Sequence, residues 1–348
     1  MPVECLVCGK PTSATHMGMD ACRACTVFYK RNRTKQLLCV KGYTGCMNHP
    51  KHAFACRKCR LESFKAILKA GADDDKSISP TYSNTPIIER IRANYNALSI
   101  FRRIAELNLR GIRLDVTEPY DERLEIIPST YQYTNESKKI QIAGLFKYIP
   151  AMFPEFRVLP NADKWLLIRN YNRIFHCIDS ALRVLRMFGK DSFNYFFGSY
   201  TTIVSNESIM NFFVDCPDQT NASTAARTIF GTFRNMVDPI RSQIRQFDPS
   251  EDEFMALMGL AFWSFENIDP SEELLALAER YRASIIAELS SYYRSSLGKQ
   301  RGTSRIGELL CLLQEFKRTE MLLQSDYDVF HMLGAFDDET VTYKLGIR

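Results

Sequence analysis

The stretch CLVCGKPTSATHMGMDACRAC (Cys5–Cys25) is followed by CVKGYTGCMNHPKHAFACRKC (Cys39–Cys59), and together they hold eight cysteines. In a Cys-x-x-Cys pair, two intervening residues let a tight turn aim both thiolates at one ion. Each stretch contributes four cysteines, the number that completes a tetrahedron around zinc. We therefore predict two zinc ions per chain, with these ligands: Cys5, Cys8, Cys22, Cys25, Cys39, Cys46, Cys56 and Cys59.

A closed site of four cysteines has no open coordination position, so the predicted zinc holds the fold and does not catalyse a reaction. Replacement of a ligand by His16, His49 or His52 is a less favoured alternative. A disulfide framework is the other interpretation of so many cysteines. Residues 1–25 have no signal-peptide pattern, and a reducing compartment favours metal over disulfides. Cys177, Cys216 and Cys311 lack metal spacing, and we expect ordinary buried thiols there.

Charge is distributed unevenly along the 348 residues. Residues 1–70 hold 13 Lys and Arg but 3 Asp and Glu, which gives a charge of +10, whereas the remainder carries −5. A basic module built around zinc indicates a polyanionic partner, and double-stranded DNA is the partner we expect.

Domain organisation follows from changes in composition. Residues 57–70 have apolar side chains at helical spacing, and Gly71 is a natural C-cap. Residues 72–86 are acidic and then rich in Ser, Thr, Pro and Asn, which is typical of a hinge. We predict a zinc module at 1–71, a hinge at 72–86 and a helical domain at 87–348.

Helical periodicity dominates after the hinge. The apolar side chains predict helices within residues 88–101, 163–187, 272–293 and 305–323. Only residues 196–204 have a strand-like pattern, so the fold class is mainly α. The longest strongly apolar stretch, Phe254 to Trp263, is too short to span a bilayer, and we expect no membrane partner.

The runs HMGMDACRACTVFYKRNR (His16–Arg33) and CRKCRLESFKAILKAG (Cys56–Gly71) resemble the DNA-binding domain of nuclear hormone receptors, most of all the divergent nematode group. The cysteine spacing matches that family apart from one extra residue between Cys39 and Cys46. A helix that starts near Cys22 would enter the major groove. The resemblance implies base contacts by Arg23, Thr26, Lys30 and Arg31, and phosphate contacts by His16, Arg33, Arg57 and Arg60. Val27 and Phe28 are expected to face the zinc core.

Three positions depart from the pattern of the family. Arg23 stands where glutamate is usual, Thr26 where lysine is usual, and Phe64 where cysteine is common. Glutamate can accept a hydrogen bond from cytosine N4 and arginine cannot, so the usual half-site is not expected.

The run AMFPEFRVLPNADKWLLIRNYNRIF (Ala151–Phe175) resembles the signature of the receptor ligand-binding domain. The marks of that signature fall on Phe156, Leu159, Asp163, Lys164, Leu166 and Leu167. The resemblance implies a layered helical bundle with an apolar pocket for a small lipophilic ligand, although no ligand contact can be named. Residues 305–316 resemble the dimerisation helix, so a homodimer or heterodimer partner is expected.

Coregulator binding in the family uses a lysine of one helix and a glutamate near the C-terminus. Ala151 falls where that lysine is expected, Lys147 lies one turn earlier, and Arg169 is a second basic candidate. Glu339 is the best candidate for the glutamate, in a segment without the usual apolar pattern. Activation and repression therefore both remain open.

These observations predict a nuclear, zinc-dependent, sequence-specific DNA-binding transcription factor. No phosphate-binding or nucleophile motif occurs, so no enzymatic activity is expected. Two alternatives remain. One is a zinc-stapled protein-interaction module, RING-like or a coregulator scaffold, and the other is a helical domain that serves as a ligand-free dimerisation scaffold.

Overall fold

The computed structural model describes residues 3–5, 11–12, 15–16, 19–33, 35, 37, 56–58, 60–61, 64–65, 85–112, 125–190, 195–265, 270–297 and 299–345. The chain separates into two compact units, Met1–Asn84 and Thr85–Arg348. Residues 72–84 of the predicted hinge lie outside the described residues, as do four predicted zinc ligands: Cys8, Cys39, Cys46 and Cys59.

The first unit begins with two short antiparallel pairs of strands. They are β1 (Val3–Glu4) with β2 (Pro11–Thr12), and β3 (Thr15–His16) with β4 (Met19–Asp20). Helix α1 (Arg23–Asn32) starts directly after Cys22. A second helical segment includes Arg57, Lys58, Arg60, Leu61, Phe64 and Lys65.

Phe64 joins this segment to α1. Its ring is fully buried and stacks on the ring of Tyr29, with 4.4 Å between centroids. The Asn32 amide donates a hydrogen bond to the carbonyl of Phe28 at 2.7 Å and accepts one from Arg57 at 2.9 Å. An aromatic ring at position 64 therefore gives this small module an apolar core that cysteine could not fill.

The second unit is built from helices. They are α2 (Ile87–Leu109), α3 (Tyr131–Met152), α4 (Asn161–Phe188), α5 (Ala222–Phe247), α6 (Glu251–Phe262), α7 (Glu272–Ser296), α8 (Lys299–Met332) and α9 (Val341–Lys344). Two 3₁₀ turns, Pro154–Val158 and Ile209–Asn211, follow α3 and precede α5. None of the helices in the described part of the chain is both long and apolar enough to cross a membrane.

Helix α6 forms the centre of the core because it is apolar on every side after its first turn. All of its residues from Glu253 to Phe262 are buried, and the helix packs against α2, α4, α7 and α8. Ser250 and Glu253 form a capping box at its start, which satisfies backbone N–H groups that would otherwise be buried unpaired. A helix without a polar face must be enclosed by others, so α6 dictates a layered bundle.

Helices α2 and α3 meet at Gly144. A Cβ atom there would lie 2.5 Å from the Cδ1 of Leu98, so a larger residue would force the Leu98 side chain to shift.

The predicted helices are confirmed by α2, α4, α7 and α8, each of which extends beyond the predicted range. The single strand expected at 196–204 is instead a hairpin of β6 (Tyr195–Phe197) and β7 (Thr202–Ser205). Strand β5 (Ile127–Pro128) pairs in parallel with β7. Residues 199–201 connect the two strands. Their N–H and hydroxyl groups donate hydrogen bonds to the Glu106 carboxylate, and their carbonyls accept hydrogen bonds from Arg183. Cys311 is exposed, which corrects the expectation of a buried thiol.

Candidate metal centre and nucleic-acid interface

Three predicted zinc ligands come together in the first unit. The Sγ atoms of Cys5, Cys22 and Cys25 all lie within 4.8 Å of one another. A tetrahedral zinc with Zn–S bonds of about 2.3 Å places its sulfur ligands about 3.8 Å apart, so these donors fit the ion with small adjustment. Cys5 and Cys25 are buried, and the backbone N–H of Cys22 donates to the Cys5 sulfur at 3.2 Å. Zinc bound here would supply folding energy to the module.

Arg60 supports this cluster from the second helical segment. Its guanidinium donates to the Cys25 sulfur at 3.2 Å and lies 4.5 Å from the centroid of the Phe28 ring. A cationic donor stabilises a thiolate, as outer-shell groups commonly do at metal sites. Arg60 was predicted to contact phosphate, and this stays a prediction; in the structure its guanidinium also contacts Cys25 and Phe28 of α1.

Helix α1 presents one exposed basic face. Arg23, Val27, Lys30 and Arg31 are all exposed, and they recur at the three- and four-residue steps of one helical side. No acidic residue occurs in the first turn, and Lys30 and Arg31 occupy the last turn. An α-helix fits the major groove of DNA, and a basic face suits its phosphate-lined edges.

Thr26 does not share this face, contrary to the sequence prediction. It is buried, with 6% of its surface exposed, and its hydroxyl donates to the carbonyl of Cys22 at 3.2 Å. Val27, which was expected to face the zinc core, is 38% exposed. Cys25 must face the other two thiolates, which sets the rotation of α1. At 100° per residue, Thr26 then lies on the inner side of the helix and Val27 on the outer side.

Arg33, Arg57 and His16 were also predicted to contact phosphate. Arg33 is exposed just after α1, and Arg57 is exposed while donating to Asn32. The backbone of His16 pairs with Met19, and its side chain lies outside the described residues. In the second quartet, the described ligand Cys56 is buried.

In the second unit, Lys147 is exposed on α3 and lies 4.9 Å from the centroid of the Phe101 ring. Ala151 is also exposed, and Arg169 is half-buried on α4. Glu339 forms an ion pair with Lys344 at 2.7 Å, so its carboxylate already has a cationic partner within the C-terminal segment.

A buried polar cluster between α2, α3 and α4 was not predicted. Its charged members are Arg102, Glu106, Lys138, Asp179 and Arg183, each less than a tenth exposed. The Asp179 carboxylate accepts from Tyr95 at 2.7 Å and from Arg102 at 2.8 Å. Burial raises the pKa of Asp179, but Arg102 and Arg183 hold it below its usual value. The sequence did contain a signal for this cluster. Lys138 lies seven residues from both Tyr131 and Leu145, so helical spacing places it on the same side as these two buried residues.

Comparison with known proteins gives the same two-part division. Residues 3–72 match the model of the C4-type double treble clef zinc finger. Residues 123–333 match the model of the ligand-binding domain of nuclear hormone receptors. The class defined by this pair of domains is a zinc-containing, DNA-binding regulator of transcription.

Similar proteins extend over nearly the whole chain. Nuclear hormone receptor family member nhr-28 of Caenorhabditis elegans is 23% identical over 98% of this chain and 84% of its own length. Family member nhr-108 is 23% identical over 95% and 94%, and the high zinc activated nuclear receptor protein is 22% identical over 96% and 90%; both are also from Caenorhabditis elegans. The chain belongs to the nuclear hormone receptor family, whose members are transcription factors and not enzymes.

Proposed function

We propose that this receptor is a sequence-specific, zinc-dependent transcription factor that acts in the nucleus and has no enzymatic activity. The observation that carries the proposal is the exposed face of Arg23, Val27, Lys30 and Arg31 on a helix anchored to the cysteine cluster. The proposed organisation is a module at 1–71 with two zinc ions and eight cysteine ligands, a hinge at 72–86 and a regulatory domain at 87–348.

In the proposed complex, α1 lies in the major groove. Arg23, Lys30 and Arg31 can donate hydrogen bonds to guanine O6 and N7, and the exposed Val27 can contact a thymine methyl group. Arg33, Arg57 and His16 then serve as phosphate contacts, which fix the position of the helix without reading sequence. We omit Thr26 from the interface because it is buried and its hydroxyl is bound within the module, and Arg60 remains a proposed phosphate contact.

The helical domain would act through protein partners and a ligand. We propose a homodimer or heterodimer through α8, coregulator binding near Lys147 and Arg169, and regulation by a small lipophilic ligand. Glu339 is a weak coregulator contact in this proposal because it is paired with Lys344.

In vitro selection of DNA sites by the full-length, zinc-loaded protein tests the DNA-binding proposal. We expect an enriched motif that is lost in the Lys30→Ala/Arg31→Ala variant. Binding should weaken with salt, by a slope near −0.9 per phosphate contacted. Lys139→Ala/Arg157→Ala is the matched control, because it removes the same charge from exposed positions of the helical domain.

Two further variants separate Val27 from Thr26. Val27→Ala should alter the base preference at one position, because it removes the exposed methyl groups, whereas Thr26→Val should leave the motif unchanged. If no motif is enriched by the wild-type protein, sequence-specific binding is overturned and a zinc-stapled interaction module is favoured.

A further inference from the structure

Helix α5 carries all of its basic residues on one side. They are four arginines, Arg227, Arg234, Arg241 and Arg245, and the helix contains no lysine and a single acid, Asp238. Spacings of seven, seven and four residues keep the arginines within one narrow sector of the helix. At a rise of about 1.5 Å per residue, this sector is about 27 Å long. We call these four residues the arginine ridge.

The opposite side of α5 is fixed to the core. Ala225, Ile229 and Met236 are buried there, and the helix packs along α8. On the outer side, Arg227 and Arg234 are exposed. The ridge therefore belongs to a helix whose rotation is set by packing, so its arginines leave the backbone at fixed positions and in one direction.

The contacts within the domain leave the ridge positively charged. Arg227 donates to a carbonyl of its own preceding turn at 3.2 Å, and Arg245 donates to the carbonyl of Lys190 at 3.2 Å. A carbonyl has no formal charge, so neither bond cancels the charge of an arginine. Asp238 forms an ion pair with Arg241 at 3.5 Å. Within α5, four arginines and one acid leave an excess of three positive charges.

This excess is local, because the second unit as a whole is acidic. Residues 85–348 hold 31 Lys and Arg against 34 Asp and Glu, a net charge of −3. Like charges one turn apart on a helix repel each other, and a bound anion removes that repulsion. The guanidinium group is also the cation that binds a carboxylate through two parallel hydrogen bonds. The ridge thus has the charge and the donors for an acidic partner.

An exposed aromatic ring and a surface depression adjoin the ridge. Phe230 is 43% exposed and lies one helical turn from both Arg227 and Arg234. Near the other end of α5, a depression of about 470 Å³ is lined by Asp238, Arg241, Ser242, Arg245 and Gln246. Arginine is enriched among the residues that contribute most to protein interfaces, and aromatic side chains are enriched in interface cores. The ridge therefore combines charge with an apolar anchor.

We propose that the arginine ridge docks an acidic helical segment of another protein, with carboxylates seven residues apart and an apolar side chain that covers Phe230. Two helices that pack side by side keep seven-residue positions in register, so Arg227, Arg234 and Arg241 would face carboxylates at the same spacing. A single exposed ion pair contributes little, so the partner needs several in register together with the apolar contact. The inference goes beyond the proposed DNA binding and ligand regulation and depends on neither.

The test is fluorescence anisotropy at low salt, in which the zinc-loaded full chain is titrated into labelled helical peptides of about three heptads. One peptide carries a Glu in each heptad and a Leu three residues later, and the second peptide has Gln in place of Glu. We expect the Glu peptide to bind at least tenfold more tightly. Arg227→Gln/Arg234→Gln should weaken its binding at least tenfold, and Phe230→Ala severalfold. Arg280→Gln/Arg294→Gln is the matched control, because it removes the same charge from exposed arginines of α7 and should bind like the wild type.

The proposal is overturned if the Glu and Gln peptides bind equally, or if neither binds. It is also overturned if Arg227→Gln/Arg234→Gln binds the Glu peptide as tightly as the control variant, because the basic first unit would then hold the peptide. The same variants are titrated into a labelled single-stranded oligonucleotide. If the ridge variant loses only oligonucleotide binding, the ridge is a nucleic-acid surface and the proposal fails. Thermal melts check that each variant is folded.

Discussion

Arg60 donates a hydrogen bond to the Cys25 sulfur at 3.2 Å, across 35 residues of sequence. The contact joins the second helical segment to a predicted zinc ligand in the first turn of α1.

The first prediction concerns this contact. Arg60→Met should lower the zinc affinity of the module by about 10- to 100-fold, the usual effect of removing an outer-shell partner. Competition with a chromophoric chelator measures the change. Arg33→Met is the control, because Arg33 is exposed beyond the end of α1. Equal zinc affinity in the Arg60 and Arg33 variants would show that the hydrogen bond has no role in metal binding.

The second prediction concerns Glu253 and Arg305. Two hydrogen bonds join them, at 2.6 and 2.8 Å, and Glu253 is buried on α6. Arg305→Met should lower the free energy of unfolding by about 3–5 kcal/mol, because it leaves a buried carboxylate without its cationic partner. Adding Glu253→Gln should restore part of the loss, and denaturant unfolding of the single and double variants measures it. A double variant less stable than Arg305→Met would contradict this account.

The same pair predicts sensitivity to acid. Burial raises the pKa of Glu253, but hydrogen bonds from Arg305, Tyr293 and Ser250 outweigh it and hold the pKa below the usual value. The native state therefore binds this proton less readily than the unfolded chain. The stabilisation that ionised Glu253 provides is fully present above the unfolded pKa, near 4.3, and is lost as the pH falls through the lower native pKa. The stability difference between wild type and Glu253→Gln should shrink below about pH 4.

The third prediction concerns Lys138 in the ligand-free protein. Its native pKa of about 7 lies below the unfolded value of about 10.4. The unfolded chain binds more protons between these values, so stability rises with pH there by about 1.4 kcal/mol per unit. Lys138→Met should therefore raise the melting temperature at pH 7, and its advantage should diminish toward pH 10. An advantage that does not change with pH would exclude a buried charge as the cause.

The fourth prediction concerns Asp326 on α8. It is buried and accepts a hydrogen bond from the Thr232 hydroxyl, and burial raises its pKa to about 6. The native state binds more protons than the unfolded chain between about pH 4 and 6, so stability falls as pH rises through this window. Asp326→Asn should stabilise the domain above pH 6 by about 2–3 kcal/mol and have little effect at pH 4. Asp328→Asn, an exposed change of the same kind on the same helix, should be nearly neutral at both pH values.

Much of this architecture is readable from local sequence. The thiolate spacing predicted a metal module because zinc needs four donors at short range, and Cys5, Cys22 and Cys25 do meet. The apolar period predicted the long helices, since helices bury one side against a core.

Other features depended on tertiary contacts. Thr26 is buried and Val27 is exposed, the reverse of what was expected, because the inward-facing Cys25 sets the rotation of α1 about its axis. No local sequence preference distinguishes the two orientations. Arg60 belongs to the cysteine cluster only because a distant segment crosses α1. Lys138 and Asp179 are 41 positions apart in sequence, and they share a buried cluster only because the fold brings α3 and α4 together. The sequence by itself determined the cysteine donors, the helices and the basic charge of the first unit. Burial and charge pairing depend on residues that are distant in sequence, and only the folded chain brings those residues together.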